Sequence, residues 1–181
     1  ARANEPQESR DKRISRQWGE LTNPRNTEPD GSLRLVPSKD WTSGFFPGEL
    51  WYVYEYTHDP FWKEKAEKHT EMLEREKKNG TTHDMGFKMY CSYGNGWRLT
   101  RNPDYSKIIF RSAKTLSSRY SYKTGLIMSW EEDNTRDWQF PVIIDNMMNL
   151  EFFSWASKVS GDDRFYKMAV SHADKTMNNH F

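Results

Sequence analysis

Residues 57–62 read Thr57-His58-Asp59-Pro60-Phe61-Trp62, and the same pattern recurs twice further along the chain. The second copy is Thr100-Arg101-Asn102-Pro103-Asp104-Tyr105, and the third is Ser160-Gly161-Asp162-Asp163-Arg164-Phe165. In each copy an aromatic residue lies five positions after the opening Ser or Thr, and four positions later comes a small or branched apolar residue: Ala66, Ile109 or Ala169. A polar N-cap followed by an apolar stripe is typical of a turn that opens an amphipathic helix. The repeat therefore predicts three similar turns, each leading into an outer helix.

The helices around these turns are of two kinds. Candidate helices cover residues 44–56, 61–78, 84–93, 103–119, 145–159 and 163–178. Those at 44–56 and 145–159 are apolar on most sides, which predicts buried helices. Those at 61–78, 103–119 and 163–178 carry an apolar stripe and many charges, which predicts that each has one solvent-exposed face. Because the copies start 43 and 60 residues apart, we expect stacked helical hairpins with loops of varying length.

The fold class predicted from this alternation is all-α, either two concentric rings of helices or an open solenoid. Three hairpins are too few to close a ring, so we expect the closed architecture to be incomplete in this chain. Residues 41–181 are assigned to the helical hairpins. Residues 1–40 are predicted to be a polar N-terminal segment with a short helix near 11–21 and an irregular linker. Residues 120–141 are predicted to be irregular, with a short hairpin at about 124–130.

Composition excludes several classes of function. Lys+Arg number 27 and Asp+Glu 26, so a net charge of +1 makes no case for nucleic acid or a membrane surface as partner. No apolar run approaches the roughly 18 residues that span a bilayer. Aromatic residues make up 15% of the chain, which predicts a folded protein although only 35% of residues are hydrophobic. With Cys91 alone there is no internal disulfide. We expect a monomer without cofactor, in either a bacterial periplasm or a cytoplasm, with Ala1 at a cloning or processing boundary.

The openings of the inner helices are the candidate site. If successive hairpins run the same way, the inner helices are parallel and their N-terminal ends meet at one rim. The residues at those ends are Trp41, His83, Asp84, Asp145 and Asn146. An aromatic ring and two carboxylates are therefore expected to converge.

Plainer explanations exist for individual residues. Asp84 and Asp145 stand where N-caps belong, and capping alone accounts for each. Asp145 lies among apolar neighbours that raise a carboxyl pKa, while a helix N-terminus lowers it. His69 and His172 occupy equivalent places in two repeats, which indicates a structural role. Gly94-Asn95-Gly96 is predicted to end a helix, and no spacing of His, Asp or Glu indicates a metal site.

Four separated stretches of the chain resemble the unsaturated glucuronyl hydrolases of glycoside hydrolase family 88. They are Asp40-Trp41-Thr42-Ser43-Gly44-Phe45-Phe46-Pro47-Gly48, His83-Asp84-Met85-Gly86-Phe87, Tyr93-Gly94-Asn95-Gly96 and Ile143-Ile144-Asp145-Asn146-Met147-Met148-Asn149-Leu150. The resemblance runs from about Asp30 to the end of the chain. It implies an (α/α)6 barrel, of which this chain is an N-terminal portion about half the family's length. The unsaturated rhamnogalacturonyl hydrolases share that fold and are the second interpretation.

The resemblance also implies a reaction and a set of site residues. Its substrate is an oligosaccharide left by a polysaccharide lyase, of the glycosaminoglycan type, with an unsaturated uronic acid at the non-reducing end. Asp145 would protonate C4 of the C4=C5 vinyl ether and then activate water, and Asp84 would hold the uronate hydroxyls. Substrate contacts are implied for Trp41, His83, Trp130 and Asn146. Two hypotheses from other classes remain: a non-catalytic glycan-binding scaffold, and a helical-repeat interaction protein in which both aspartates are only caps.

Overall fold

The computed structural model describes residues 21–131 and 135–181. Its strands are β1 (Leu21–Thr27), β2 (Leu33–Pro37), β3 (Tyr120–Ser121) and β4 (Leu126–Ile127). Its α-helices are α1 (Phe45–Thr57), α2 (Pro60–Glu71), α3 (Asn95–Thr100), α4 (Pro103–Ser117), α5 (Asn149–Ser160) and α6 (Asp163–His180). A π-helix covers Gly86–Gly94, and two 3₁₀ helices cover Glu74–Lys78 and Ile144–Met148. Within the described part of the chain, no helix has the length and apolar character needed to cross a membrane.

The segment before the helices forms an antiparallel hairpin, where the sequence predicted an irregular linker. β1 pairs with β2 through a ladder with two register shifts. Asp30 holds the turn, because its Oδ1 accepts hydrogen bonds from the N–H and the hydroxyl of Ser32. β1 contains Pro24 and lacks apolar alternation, so the sequence carried no strand signal. The helix predicted at 11–21 lies outside the described residues except for Leu21, which begins β1, and the division at residue 40 stays a prediction.

The three predicted turns are present and share one construction. The residue two positions after the opening Ser or Thr caps the outer helix by accepting a backbone N–H bond: Asp59 from Phe61, Asn102 from Asp104, and Asp162 from Arg164. The opening hydroxyl donates to a carbonyl one turn earlier and accepts from the N–H of the capping residue. Between them lies a residue with left-handed backbone: His58 (φ 55), Arg101 (φ 57) or Gly161 (φ 72). Each repeat is thus the corner of a helical hairpin.

The helices form two layers, as the alternation predicted. The inner layer holds α1, the π-helix continued by α3, and the second 3₁₀ helix continued by α5; the outer layer holds α2, α4 and α6. The core between them is fully buried and rich in aromatic and branched residues: Trp51, Ala66, Leu73, Met85, Met89, Tyr93, Ile109, Ala113, Leu116, Phe152, Phe153 and Ala156. Successive inner helices contact each other, so the hairpins stack side by side.

Several predicted bounds are corrected by the structure. The helix predicted at 61–78 breaks into α2 and a 3₁₀ helix, and the one at 145–159 begins as a 3₁₀ helix. The predicted turn at 94–96 is wrong, because the π-helix continues directly into α3. Asn95 Nδ2 donates to the Cys91 carbonyl one turn earlier. The hairpin predicted at 124–130 exists as β3 and β4, with strands that start earlier.

The expectation that α1, apolar on most sides, is a buried helix is also corrected. Its buried residues lie on one side, toward the core, and include Leu50 and Trp51. Tyr52, Val53 and Tyr56 are 57%, 37% and 89% exposed. The opposite face of α1 is therefore open to solvent within the described part of the chain.

His69 and His172, at equivalent positions of α2 and α6, each hold a β-hairpin against an outer helix. His69 Nδ1 lies 3.0 Å from Asn23 Oδ1 in β1, and His172 Nδ1 accepts the Ile127 N–H of β4 at 3.0 Å. Burial lowers the pKa of both imidazoles, that of His172 to about 4. The predicted structural role is confirmed by these contacts.

Candidate functional site

The starts of the inner helices approach closely because glycines lie where the helices cross. A Cβ on Gly44, just before α1, would lie 2.1 Å from the carbonyl oxygen of Phe87 in the π-helix. A Cβ on Gly86, at the start of that π-helix, would lie 2.5 Å from Sδ of Met148. A side chain at Gly44 would push the two backbones apart, and one at Gly86 would displace the Met148 side chain and crowd the Met148 carbonyl oxygen at 3.0 Å. The three helix openings therefore meet at one rim, as the topology predicted.

His83, Asp84 and Asp145 form the centre of this rim. His83 Nε2 lies 3.1 Å from Asp145 Oδ1 and 3.4 Å from Asp84 Oδ1. On its other side, His83 Nδ1 lies 2.7 Å from the carbonyl oxygen of Ser129. The side chains are 3%, 17% and 40% exposed for His83, Asp84 and Asp145 respectively. A buried imidazole thus separates two carboxylates, of which Asp145 is the more accessible.

The contacts of His83 determine which of its ring nitrogens donates a hydrogen bond. A carbonyl oxygen only accepts hydrogen bonds, so Nδ1 carries hydrogen and donates it to Ser129. Nε2 then faces two carboxyl groups, and the contact with Asp145 is favourable only when one of the two atoms carries hydrogen. The geometry therefore allows Asp145 and the nitrogen beside it to share a proton. Such a group can donate a proton to a bound ligand and take one back.

Capping does not explain the two aspartates. Asp84 Oδ2 accepts a hydrogen bond from the hydroxyl of Thr82 at 2.5 Å. Among the described residues, the one side-chain hydrogen-bond partner of Asp145 is His83. The N-cap positions belong to Met85 and Ile143, and neither makes a side-chain cap. Asp145 is only partly surrounded by apolar side chains, although the sequence predicted an apolar setting, because neighbouring Ile144 is 46% exposed. Its carboxyl group is open on one side.

Two exposed tryptophans flank the rim. Trp130 is 42% exposed and stands edge-on to the His83 ring at 6.2 Å. It stacks on Trp138 with the ring centroids 5.5 Å apart. Trp41 is 43% exposed and packs against Phe87, one turn beyond Asp84, at 5.6 Å. Flat, half-exposed rings beside carboxylates are surfaces on which a sugar ring can pack.

Asn146 lies behind the site, whereas the sequence placed it among the substrate contacts. Its side chain is fully buried. Nδ2 donates to the Ile127 carbonyl at 2.8 Å and to Ser129 Oγ at 3.2 Å, and Oδ1 accepts from Asn149 at 2.7 Å. All of these bonds stay within the protein, so Asn146 fixes the β3–β4 hairpin against the helix that carries Asp145.

Three supporting residues had no assigned role in the sequence analysis. Asn149 accepts the Gly86 N–H and donates to the His83 carbonyl, both at 2.9 Å, which ties two inner helices together. Ser129 orients His83 through its carbonyl oxygen, and Trp138 stacks against Trp130. Asn149 lies inside one of the stretches that carry the family resemblance, and this position was the sequence signal that could have identified it. Ser129 acts through its backbone carbonyl, which has no sequence signature.

The same three central side chains could hold a metal ion. One ligand atom from each of His83, Asp84 and Asp145 lies within 4.8 Å of the others. One imidazole and two carboxylates are an acceptable ligand set for a divalent cation such as Zn²⁺. The structure thus brings together groups whose sequence spacing indicated no metal site, and the expectation of a metal-free site stays a prediction.

Known proteins with similar sequences and structures are unsaturated uronyl hydrolases. An unsaturated glucuronyl hydrolase of Formosa agariphila is 52% identical over 152 residues, covering 82% of this chain and 37% of that protein. An unsaturated chondroitin disaccharide hydrolase of Streptococcus pyogenes is 30% identical over 152 residues, covering 82% and 38%. A crystal structure of an unsaturated glucuronyl hydrolase specific for heparin matches with a TM-score of 0.84 at 44% identity, covering 94% of this chain and 45% of that one. No protein-family model matches the chain.

These comparisons confirm the resemblance to the unsaturated glucuronyl hydrolases of glycoside hydrolase family 88. Those enzymes have an (α/α)6 barrel, and the three helical hairpins of this chain correspond to part of it. The chain spans 37% and 38% of the two relatives and 45% of the solved structure. The fold class predicted from the sequence is confirmed.

Proposed function

We propose that the protein hydrolyses oligosaccharides carrying a 4,5-unsaturated uronic acid at the non-reducing end, of the kind that polysaccharide lyases release from glycosaminoglycans. The observation that carries this proposal is the placement of His83 Nε2 between the carboxylates of Asp145 and Asp84. The similar proteins include hydrolases named for glucuronyl and chondroitin substrates, which favours this function over rhamnogalacturonyl hydrolysis. The central side chains all come from one chain, so the candidate site can form in a monomer.

The reaction begins with protonation of the double bond. Asp145 is the more exposed of the two carboxyl groups, and in this mechanism it gives its proton to C4 of the vinyl ether. Positive charge then develops at C5 and on the ring oxygen. Asp145, now a carboxylate, removes a proton from water as the water oxygen bonds to C5. The hemiketal formed at C5 opens and releases the neighbouring sugar.

The surrounding residues have separate tasks in this scheme. Asp84 accepts hydrogen bonds from the uronate hydroxyls, and its negative charge favours the developing cation. His83 orients both carboxyl groups through its Nε2 and is itself fixed by Ser129. Trp41 and Trp130 pack against the sugar. These roles are assigned from position and chemistry together.

The decisive experiment follows the ultraviolet absorbance of the unsaturated uronate, which disappears on hydration. The protein at its natural length, the 181-residue chain and the Asp145→Asn variant are incubated with unsaturated chondroitin, hyaluronan and heparin disaccharides. We expect the natural-length protein to consume at least one, and Asp145→Asn to lose about 10²–10⁴-fold in rate. Asp104→Asn, at an exposed position of α4, serves as the charge-matched control.

The outcomes separate the three classes of function. Binding of a disaccharide without loss of absorbance, unchanged in Asp145→Asn, would replace the enzyme by a glycan-binding scaffold. If none of the disaccharides is bound or consumed, the result supports the helical-repeat interaction protein. Activity in the 181-residue chain would show that its three hairpins form a working site on their own.

A further inference from the structure

Arg119 carries a buried positive charge that has no task in the proposed reaction. It lies just beyond the end of α4, and its side chain is only 3% exposed. Burying a guanidinium group costs free energy that well-placed partners must offset, and apolar residues of similar volume often stabilise a core equally well. The partners of this group therefore indicate its role.

The guanidinium group of Arg119 donates hydrogen bonds to two separate segments of the chain. Nε donates to the Met128 carbonyl at 2.9 Å, and Nη2 donates to the Ser129 carbonyl at 3.3 Å. Nη1 donates to the Gly80 carbonyl at 2.7 Å and to Oε1 of Glu131 at 2.8 Å. One side chain thus joins the segment around residue 80 to the segment 128–131.

Both of these segments lead directly into the candidate site. Gly80 lies three residues before His83, and Ser129 immediately precedes Trp130. The Ser129 carbonyl is approached from two sides, because His83 Nδ1 lies 2.7 Å from the same oxygen. Arg119 therefore holds both the acceptor that orients the imidazole and the backbone that carries the tryptophan. Because it is buried, it acts through these groups and not on a ligand.

The geometry of these bonds requires an arginine. Its planar group presents five N–H donors in a fixed fork, so it can hold acceptors in several directions at once. A lysine keeps the charge but has three donors at the end of a flexible stem. The ion pair with Glu131 contributes little, since that carboxylate is 67% exposed. The three bonds to carbonyl groups therefore account for most of the restraint.

We infer that Arg119 is a positioning residue of the candidate site. It fixes the Ser129 carbonyl beside His83 and, through the next residue, the Trp130 ring. Without it the carbonyl can turn away, so His83 Nδ1–H loses its acceptor and the imidazole loses its orientation toward Asp145. The effect of Arg119 on turnover rests on the proposed function, whereas its effect on the His83 ring does not.

The first test observes the His83 ring without any ligand. Proton–nitrogen NMR of the natural-length protein, labelled with ¹⁵N-histidine, detects the Nδ1 proton, and His83→Gln assigns its signal by removing it. We expect a slowly exchanging Nδ1–H signal in the parent protein and loss of most of its intensity in Arg119→Met. Leu116→Ala, which removes a fully buried side chain at the end of α4, controls for lost packing and should keep the signal. An unchanged signal in Arg119→Met, or none in the parent, overturns the inference.

The second test separates positioning from stability by kinetics. Absorbance loss with a disaccharide that the parent consumes gives kcat and KM, at a temperature where thermal melts show every variant to be folded. We expect Arg119→Met to lower kcat about tenfold and to raise KM about fivefold, because the imidazole and the Trp130 ring are displaced together. Arg119→Lys should stay at least about threefold below the parent in kcat/KM, since charge alone does not restore the bonds. Glu131→Gln and Leu116→Ala should remain within about twofold.

The two proposals fail in different ways. Equal kinetics in Arg119→Met and Leu116→Ala, or full activity in Arg119→Lys, contradicts the positioning role even if the protein is an active hydrolase. An equal loss in Glu131→Gln would assign the effect to the ion pair and would also overturn the inference. A protein that consumes no unsaturated disaccharide, but loses the His83 signal in Arg119→Met, contradicts the proposed function and supports the role of Arg119. If Arg119→Met does not fold, Arg119→Lys provides both measurements.

Discussion

The Nε2 atom of His83 lies 3.1 Å from Oδ1 of Asp145, although 62 positions separate the two residues in the chain. The contact joins the openings of two inner helices. It depends on Gly86, which lets the π-helix approach Met148, and on Asn149, whose side chain bonds to the Gly86 N–H and the His83 carbonyl at the start of that π-helix. The same contact carries the proposed chemistry, so the packing of the helices and the reactivity of the site depend on the same residues.

Replacing Trp130 by alanine should raise KM about fivefold with little change in kcat, because a ring contact of about 1 kcal/mol is lost. Trp130 is half-exposed and stacked on Trp138, so its removal leaves the core intact. Initial rates of absorbance loss against disaccharide concentration give both constants. Tyr56→Ala, at an 89% exposed position of α1, is the control. A fall in kcat with unchanged KM would instead place Trp130 with the reacting groups.

Chelation should leave activity within about twofold, because the proposed steps are proton transfers between Asp145, water and substrate. Dialysis against EDTA followed by a rate measurement and by elemental analysis checks this. Loss of activity that Zn²⁺ or Mn²⁺ restores would mean that His83, Asp84 and Asp145 act as metal ligands. In that case a metal-bound water, and not Asp145, would be the first candidate for the base.

Asn149→Ala should lower the free energy of unfolding by about 3 kcal/mol, because it leaves buried groups of Gly86, His83 and Asn146 without partners. Urea denaturation followed by tryptophan fluorescence gives the change. Asn178→Ala removes the same amide from an exposed position of α6 and should change stability by less than about 0.5 kcal/mol. Equal effects in both variants would contradict the structural role of Asn149.

Gly44→Ala should destabilise the protein by about 3 kcal/mol or more, since its Cβ would meet the backbone of Phe87 and Lys88 at 2.1–2.7 Å. Backbone atoms cannot move aside as a flexible side chain can. Gly80→Ala is the matched control, because its nearest neighbours lie at 3.8 Å, and it should change stability by less than about 1 kcal/mol. Thermal denaturation of both variants compares them, and a stable Gly44→Ala protein would mean that the helix openings are further apart.

Stability should fall as the pH drops from about 6.5 to 4, because burial lowers the pKa of His172 from its ordinary value to about 4. The unfolded chain binds a proton in that window and the folded one does not, so protonation favours unfolding. The full effect is about 3 kcal/mol, and His69 adds to it in the same direction.

A pH series of urea midpoints checks this dependence on His172. His172→Gln keeps an acceptor for the Ile127 N–H but cannot be protonated in this window, so its stability should vary less with pH. His58→Gln, at an exposed corner, should follow the parent protein. An unchanged slope in His172→Gln would rule out His172 as the source.

Local signals in the sequence were sufficient for the hairpin corners. Each corner needs a hydroxyl, a left-handed residue and a capping carboxylate or amide within a few positions, so its whole construction is local. The same locality explains the errors. β1 is held by its partner strand and by His69, and the π-helix is held by crossing helices, and neither influence is visible in a short window.

By itself the sequence determined the helical class, the order of inner and outer helices, the corners and the motifs that resemble the glucuronyl hydrolases. The tertiary structure decided which side chains meet: His83 separates the two carboxylates, Asn146 is buried behind them, and Arg119 bonds to the segments before His83 and Trp130. The physical reason is distance along the chain. Hydrogen bonds within one turn follow from neighbouring residues, whereas contacts across 62 positions depend on how closely whole helices pack.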